Sequence, residues 1–339
     1  MKTILVTGGA GYIGSHTVVE LLKNEDYKVI ILDNFCNSKR EIISRINEIS
    51  KREFIVFDNN CCDDLEIIFS KHKIDGVIHF AALKAVGESV QSPLEYYDNN
   101  INSLVNVLKY CKKYNVSSFV FSSSCSLYGN LKELPAHEES PLSDPESPYA
   151  YTKLMGERIL QDFSKVNDMK IISLRYFNPV GAHNSGLIGE LPINKPNNII
   201  PVICNSAETG EEMTVFGGDY DTRDGSCIRD YVHVSDIADA HVLSMNYLFS
   251  DKSKIYDVYN LGLGIGNRFE KEGLTVLEVI KSFEDINGVK VNYKIGPRRD
   301  GDVVKIYSNS TKARDIGWKP IRSVEDMVST AWKWHKNRI

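Results

Sequence analysis

Short apolar runs alternate with longer amphipathic stretches along the first half of the chain. The runs at 3–7 (TILVT), 28–32 (KVIIL), 53–57 (EFIVF), 75–81 (DGVIHFA), 117–123 (SSFVFSS) and 170–175 (KIISLR) are rich in β-branched and aromatic residues. They are mostly apolar at every position instead of at every second one, which predicts strands buried on both faces of a parallel sheet. Between them, 12–23, 63–72, 93–114 and 148–166 read as helices. The repeated strand–helix–strand order predicts an α/β fold built on a doubly wound parallel sheet. Beyond residue 176 the alternation fades, and Pro179, Gly181, Gly186, Gly189, Pro192, Pro196 and Pro201 crowd the sequence. This predicts a nucleotide-type sheet domain over 1–176 and a smaller C-terminal α/β lobe with long loops over 177–339. Apolar pieces such as VYNLG (258–262) suggest that segments near 229–262 return to the first domain.

Composition narrows the partners. With 42% hydrophobic and 25% charged residues over 339 positions, the chain has the make-up of a globular protein with a large core. A net charge of -5 gives no basic excess for nucleic acid or an anionic membrane surface. The seven cysteines form no CxxC pair and are odd in number, so neither a disulfide framework nor a metal site is expected, and reduced thiols in the cytoplasm are. The N-terminus reads as a strand, not a signal peptide, and no apolar run is long enough for a membrane span.

Candidate chemistry begins at TGGAGYIG (7–14), which follows the first strand and opens the first helix. Glycines at 8, 11 and 14 permit a tight turn and close approach of a pyrophosphate, and the helix N-terminus offers it free N–H groups. Asp33 ends the second strand nineteen residues after Gly14, where a carboxylate binds adenosine ribose hydroxyls. Asn34, Phe35 and Cys36 follow it with no arginine for a 2′-phosphate, which favours NAD over NADP. Ligands of such folds sit beyond the carboxyl ends of the strands, which nominates Asp58 and Asn59 after the third strand and Phe80, Ala81, Ala82 and Lys84 after the fourth.

The fifth strand ends in SSSCSLYG (122–129), placing Ser124 where it could reach a sugar hydroxyl. In SPYAYTK (147–153), Ser147 is a plausible N-cap and Pro148 a plausible first helical residue. Four helical positions rotate by roughly 400°, so Tyr149 and Lys153 share a face, whereas Tyr151 points away from Lys153. A phenol with a reference pKa of about 10 is a poor base at neutral pH. A neighbouring ammonium would lower it, letting Tyr149 take a proton from a sugar hydroxyl while a nicotinamide takes the hydride.

Together, TGGAGYIG, LDNFCNS (32–38), HFAALKAVGESV (79–90), YAYTK and LRYFNPVGAH (174–183) resemble the extended short-chain dehydrogenase/reductase family. The resemblance runs over essentially the whole chain, through IRDYVHVSD (228–236), GPRRDGD (296–302) and the closing WKWH, and within the family it is to members acting on UDP-hexoses. It implies a Rossmann domain with tightly held NAD and redox-neutral inversion at C4, interconverting UDP-glucose and UDP-galactose. Tyr149 would be the base, Lys153 would tune it and bind the nicotinamide ribose, and Ser124 would hold O4. The carry-over adds NAD contacts at Tyr12, Ile13, Asn34, Asn37, Asn99, Ser122 and Tyr176 to those named above. For the UDP-sugar it implies Lys84, Ser126, Phe177, Asn178, Asn198, Ile199, Thr214, Phe216, Arg229, Tyr231, Arg299, Asp302 and Ile306. Two guanidiniums suit a diphosphate clamp, asparagines suit a base edge, and Asp302 could accept from ribose hydroxyls. Ile306 falls at the family's gate beside the C2 substituent, where its intermediate size leaves N-acetylhexosamines as further candidate substrates. The resemblance also implies a homodimer built on the helices near 93–114 and 148–166.

Three other readings compete, one of them a net oxidoreductase of the same fold, which release of NADH would reveal. A nucleotide-sugar 4,6-dehydratase needs an Asp–Glu pair where this chain has Cys125 and Ser126. A non-catalytic NAD-sensing binder would have no use for Ser124, Tyr149 and Lys153 together.

Overall fold

The structure is a computed structural model that describes residues 1–142, 145–193, 196, 198–250, 255–264, 272–299 and 303–338. In chain order its elements are β1 (Lys2–Thr7), α1 (Tyr12–Leu22), β2 (Tyr27–Asp33), α2 (Glu41–Ser50), β3 (Ile55–Asp58), α3 (Glu66–Lys71), β4 (Gly76–His79), α4 (Val86–Gln91), α5 (Pro93–Lys113), β5 (Ser118–Ser122), α6 (Pro148–Ser164) and β6 (Lys170–Tyr176). There follow β7 (Asn178–Val180), α7 (Ile199–Thr209), β8 (Met213–Phe216), β9 (Ile228–Arg229), β10 (Tyr231–His233), α8 (Val234–Leu248), β11 (Tyr256–Leu261), β12 (Leu274–Thr275), α9 (Val276–Asn287), β13 (Tyr293–Gly296) and α10 (Val324–Asn337).

Seven strands form one sheet in the order β11-β6-β5-β4-β1-β2-β3. The pairs from β3 across to β6 are all parallel. Strand order reverses at β1, between β2 on one side and β4 on the other, and the crevice at such a switch point is where these sheets bind ligands. The strands are apolar on both faces because helices cover both. Leu5, Ile30, Leu32, Val77, Phe119 and Ile171 pack with Leu104, Val107, Leu108 and Leu160 of α5 and α6 in one buried cluster. At about 25 cal/mol per Å² of apolar surface removed from water, such a cluster is the main stabilising contribution to this layer.

The chain divides into two compact units. One comprises Met1–Leu127, Leu142–Arg175 and Ala238–Tyr259, and the other Tyr128–Pro141, Tyr176–Ile237 and Asn260–Ile339. The second unit contains the short pairs β10–β7, β12–β9 and β13–β8. Its core joins Ile203, Val215, Tyr231, Val279, Phe283, Met327 and Val328. Its helices start where the sequence caps them: Thr275 and Glu278 form a reciprocal capping box on α9, and Ser323 and Asp326 another on α10.

Several elements differ from the sequence expectation. Helices α2 and α4 lie outside the helical stretches read from the pattern. In α2 only Ile42 and Ile46 are buried, so one apolar pair four residues apart is its whole core-facing signal. Helix α4 is six residues long and mostly exposed. Helix α3 starts at Glu66, not at 63, because the Asp64 carboxylate accepts the Glu66 N–H at 2.8 Å and ends the preceding turn.

Candidate active site

The glycine turn lies at the switch point. Gly8 has φ +70°, and a Cβ there would stand 2.8 Å from the backbone nitrogen of Ala81 beyond β4. A Cβ on Gly14 would stand 2.1 Å from the Gly8 carbonyl, so only glycine lets α1 begin this close to the turn. Gly11 occupies the N-cap of α1 without any side-chain cap, leaving the first-turn N–H groups to an anion. Tyr12 and Ile13 form that first turn. This cradle of bare backbone, small residues and a helix N-terminus fits the pyrophosphate of a dinucleotide.

Asp33 closes the cradle at the end of β2. Its carboxylate accepts the Ala10 N–H at 2.9 Å and the Phe35 N–H at 2.8 Å, so it orders the glycine turn as well as facing it. Burial pushes its pKa above the ordinary carboxylate range, and those two backbone bonds pull it back. Asn34 and Asn37 stand exposed on the loop that follows. Asp58 is ion-paired with Arg40, whose guanidinium lies 4.5 Å from the Phe35 ring. Asn59 donates its N–H to the Asp33 carbonyl at 3.3 Å. Beyond β4, Ala81 and Ala82 are half-buried, Phe80 packs 4.5 Å from His241, and the Lys84 ammonium is 6.0 Å from the Tyr12 ring. The Asn99 amide donates to Asn100 at 2.9 Å.

Ser147 caps α6 as expected, its hydroxyl accepting the Ala150 N–H at 3.3 Å, with Pro148 in the first turn. Tyr149 and Lys153 therefore project from one stripe, and the Lys153 ammonium lies 5.8 Å from the Tyr149 ring centre. Ser124, just past β5, lies beside the Tyr149 hydroxyl. The ammonium itself donates to the Ser122 carbonyl at 2.7 Å and lies 5.1 Å from the Phe121 ring. Electrostatics here differ from the sequence expectation. Burial pushes the phenol of Tyr149 up to about 12, with the neighbouring Ser124 pulling it part of the way back. Burial likewise brings Lys153 down to about 8, opposed by the nearby Glu157. Desolvation thus dominates both groups in the protein alone.

Three buried groups at this site carried no motif. His79, at the end of β4, bonds Thr7 Oγ1 through Nδ1 at 2.8 Å, and burial holds it neutral, down to about 3. Glu157 and Arg175 form a buried forked pair with 2.9 and 2.6 Å bonds, and Ser123 donates to the same carboxylate. The signal for Glu157 was available: it stands four residues after Lys153. Arg175, a buried cation near the end of a mostly apolar strand, was the other hint.

In the second unit, Asn178, Arg229, Tyr231 and Ile306 are gathered around the buried Asp230. Its carboxylate accepts the Leu263, Gly264 and Ser308 N–H groups at 2.7, 3.2 and 2.9 Å and the Ser308 hydroxyl at 2.6 Å. Burial raises its pKa to about 6 against those bonds. Asn178 faces Tyr231 across β7–β10 and donates its N–H to the Asp230 carbonyl at 2.9 Å. Arg229 donates to the Ile228 and Val303 carbonyls at 3.0 and 2.5 Å, and the Ile306 N–H reaches the Ile228 carbonyl at 3.2 Å. A second group lies on β8, where Thr214 and Phe216 pair with β13 and the Arg299 guanidinium is 5.5 Å from the Phe216 ring. Asn198 precedes Ile199 at the start of α7 and donates to Glu190 at 2.6 Å. Tyr176 and Phe177 are buried, and Phe177 stacks on Tyr128 at 6.4 Å. Ser126, in the short 3-10 turn Cys125–Tyr128, is half-buried. Asp302 lies outside the described residues. No cluster of metal-binding side chains occurs among the described residues.

A doubly wound parallel sheet with a glycine cradle at its switch point and a Ser–Tyr–Lys constellation beyond β5 defines a dinucleotide-dependent enzyme of the short-chain dehydrogenase/reductase type. The chain belongs to the NAD dependent epimerase/dehydratase family, whose model matches residues 4–262. It is 44% identical to the UDP-glucose 4-epimerase of Erwinia amylovora over 98% of this chain and 97% of that protein. The UDP-glucose 4-epimerase of Bifidobacterium longum, solved in complex with NAD+ and UDP, superposes with a TM-score of 0.92 at 44% identity, covering 99% of this chain and 98% of that one. The UDP-Glc/GlcNAc 4-epimerase of Campylobacter jejuni superposes at 0.84 with 35% identity over 100% of both.

Proposed function

We propose that this protein is an NAD-dependent UDP-hexose 4-epimerase that interconverts UDP-glucose and UDP-galactose. The observation that carries the reading is the Lys153 ammonium 5.8 Å from the Tyr149 ring on one stripe of α6, with Ser124 beside that phenol. NAD, when bound in the glycine cradle, supplies a reversible acceptor for the C4 hydride. Ser124 and Tyr149 bracket the sugar O4, and Tyr149 accepts the O4 proton as the C4 hydrogen leaves. The resulting 4-keto sugar turns about its diphosphate link and presents its other face. Tyr149 then returns the proton to O4 as C4 regains a hydride on that face, so neither electrons nor protons are consumed overall. A phenol pushed up to about 12 by burial works as a base only when positive charge gathers beside it, and the Lys153 ammonium is the charge this chain contributes. Gly8, Gly11, Gly14, Tyr12, Ile13 and Asp33 hold the dinucleotide in this reading. Asn178, Asn198, Arg229, Tyr231 and Arg299 hold UDP, with the two guanidiniums on the diphosphate.

The direct test incubates the purified protein with UDP-galactose, without added reductant, and separates the products chromatographically. UDP-glucose is expected. NAD-bearing protein that leaves UDP-galactose unchanged would sink the reading, and accumulation of NADH or of a 4-keto-6-deoxy sugar would favour the oxidoreductase or the dehydratase.

Ile306 supports an extension to N-acetylated UDP-hexosamines. It is 8% exposed on a segment fixed by the Ile228 and Asp230 bonds, so its side-chain size sets the space beside it. UDP-GalNAc turnover should therefore appear and should drop on Ile306→Tyr. Equal turnover in the two proteins discards the gate. The homodimer is supported by apolar side chains left exposed on neighbouring helices: Val90 at 61%, Leu94 at 80% and Met155 at 43%. Seven cysteines without a disulfide among them support a cytoplasmic location, and no helix among the described residues is long and apolar enough to cross a membrane.

A further inference from the structure

Tyr149, Lys153 and Glu157 follow one another at four-residue steps along α6, and the chain end of β5 opposite them is three serines in a row. Two of the rungs are hydrogen-bonded. The Ser122 carbonyl accepts the Lys153 ammonium at 2.7 Å and the Ser123 hydroxyl donates to the Glu157 carboxylate, while Ser124 lies beside the Tyr149 hydroxyl. From the other side Arg175, on the neighbouring strand β6, grips both oxygens of that carboxylate at 2.9 and 2.6 Å. The side chains of Arg175 and Glu157 are 4% and 6% exposed, so the fork is held out of water.

We propose that Glu157, clamped by Arg175, is a positioning residue for the epimerisation: it fixes the Ser122–Ser124 strand end against α6 and keeps Lys153 charged beside Tyr149. The inference rests on the assignment of Ser124, Tyr149 and Lys153 above. A buried ion pair is a poor device for stability alone, since apolar residues of equal volume do as well or better. Its value here is geometric, because one carboxylate fixes the middle of three consecutive residues whose neighbours both serve the reaction. Electrostatics agree. The groups that face this stripe are Glu157 and His79 beside Lys153, Cys125 and Tyr96 beside Tyr149, and Arg175 and Tyr256 beside Glu157. Glu157 is the carboxylate among them. It opposes the burial that brings Lys153 down to about 8, while His79 is held neutral.

The test compares wild type, Glu157→Gln and Glu157→Asp with NAD bound, reading kcat across pH, KM, UDP affinity by calorimetry, and thermal melting. Glu157→Gln should lose on the order of 10²-fold in kcat through misplacement of the reacting groups. UDP affinity should hold within about twofold. The alkaline fall-off of kcat should move to lower pH, since Lys153 sheds its proton more readily without the carboxylate. Glu157→Asp keeps the charge but shortens the reach, so it should lose turnover while its alkaline limb stays near that of wild type. If Glu157→Gln folds poorly, the double variant Glu157→Gln/Arg175→Met, which removes both charges together, is read in the same way. Wild-type turnover with an unmoved alkaline limb in the Gln variants, or a loss that falls equally on kcat and UDP affinity, overturns the inference. Failure of the wild type itself to interconvert the sugars would instead overturn the epimerase reading.

Discussion

Tyr149 and Tyr151 stand two positions apart in the same helical turn and meet different chemistry. Tyr149 faces Ser124 and lies beside the Lys153 ammonium, whereas Tyr151 is half-buried on another face of α6. Tyr149→Phe removes the proposed base and should lower kcat on the order of 10²-fold or more. Tyr151→Phe should keep kcat within about twofold, and a comparable loss there would overturn the assignment. This pair was legible in the sequence because helical spacing is a local property. The electrostatics were not, since burial, which raises Tyr149 and lowers Lys153, depends on strands distant in the chain. His79 shows the same dependence in stability. It is held neutral down to about 3 when folded, against about 6.5 in an unfolded chain, so between those values the unfolded state binds the extra proton. Stability from this group is complete above pH 6.5 and is lost as pH falls, by up to about 1.4 kcal/mol per unit. In urea unfolding, His79→Asn should therefore show a shallower loss between pH 6.5 and 5 than wild type, whatever its stability at pH 7. Parallel slopes would exclude His79 as the source.

Among the elements, the joint between β1 and α1 carries the sharpest demand on residue type. A methyl on Gly14 would meet the Gly8 carbonyl at 2.1 Å, a backbone atom that cannot swing aside. Gly14→Ala should displace the start of α1 and reduce the NAD that copurifies with the protein by about tenfold or more, measured after acid extraction. Undiminished NAD would remove the close approach as the reason for this glycine. The long elements α5 and α6 were legible because their apolar periodicity runs over several turns. Helix α2, with two buried isoleucines, and α4, with six residues, lack that redundancy and owe their form to what they pack on. The α6 stripe lies between these cases. Its YxxxK half announces itself, whereas the Glu157 rung acquires meaning only when β5 and β6 bring Ser123 and Arg175 to it.

For the whole molecule, assembly and the split of the chain into two units are the properties that matter. Leu94 on α5 and Met155 on α6 leave large apolar surface in water, which a proposed second copy would cover. Leu94→Glu together with Met155→Glu should shift the mass seen by light scattering from two chains to one, with the thermal melt of each monomer preserved. Double-mass particles in that variant would place the interface elsewhere. The sequence by itself determined the parallel α/β sheet, the glycine cradle with Asp33, and the Ser124–Tyr149–Lys153 constellation. These rest on local rules: strand burial on both faces, the glycine needed at a tight turn, and the four-residue step of a helix. Only the tertiary structure decided that Asp230 organises the segments bearing Asn178, Arg229, Tyr231 and Ile306, and that Glu157 meets Arg175 and Ser123 at the end of β5. Those choices depend on which distant segments meet a buried charge, and a buried charge is stable only where the fold delivers its partners.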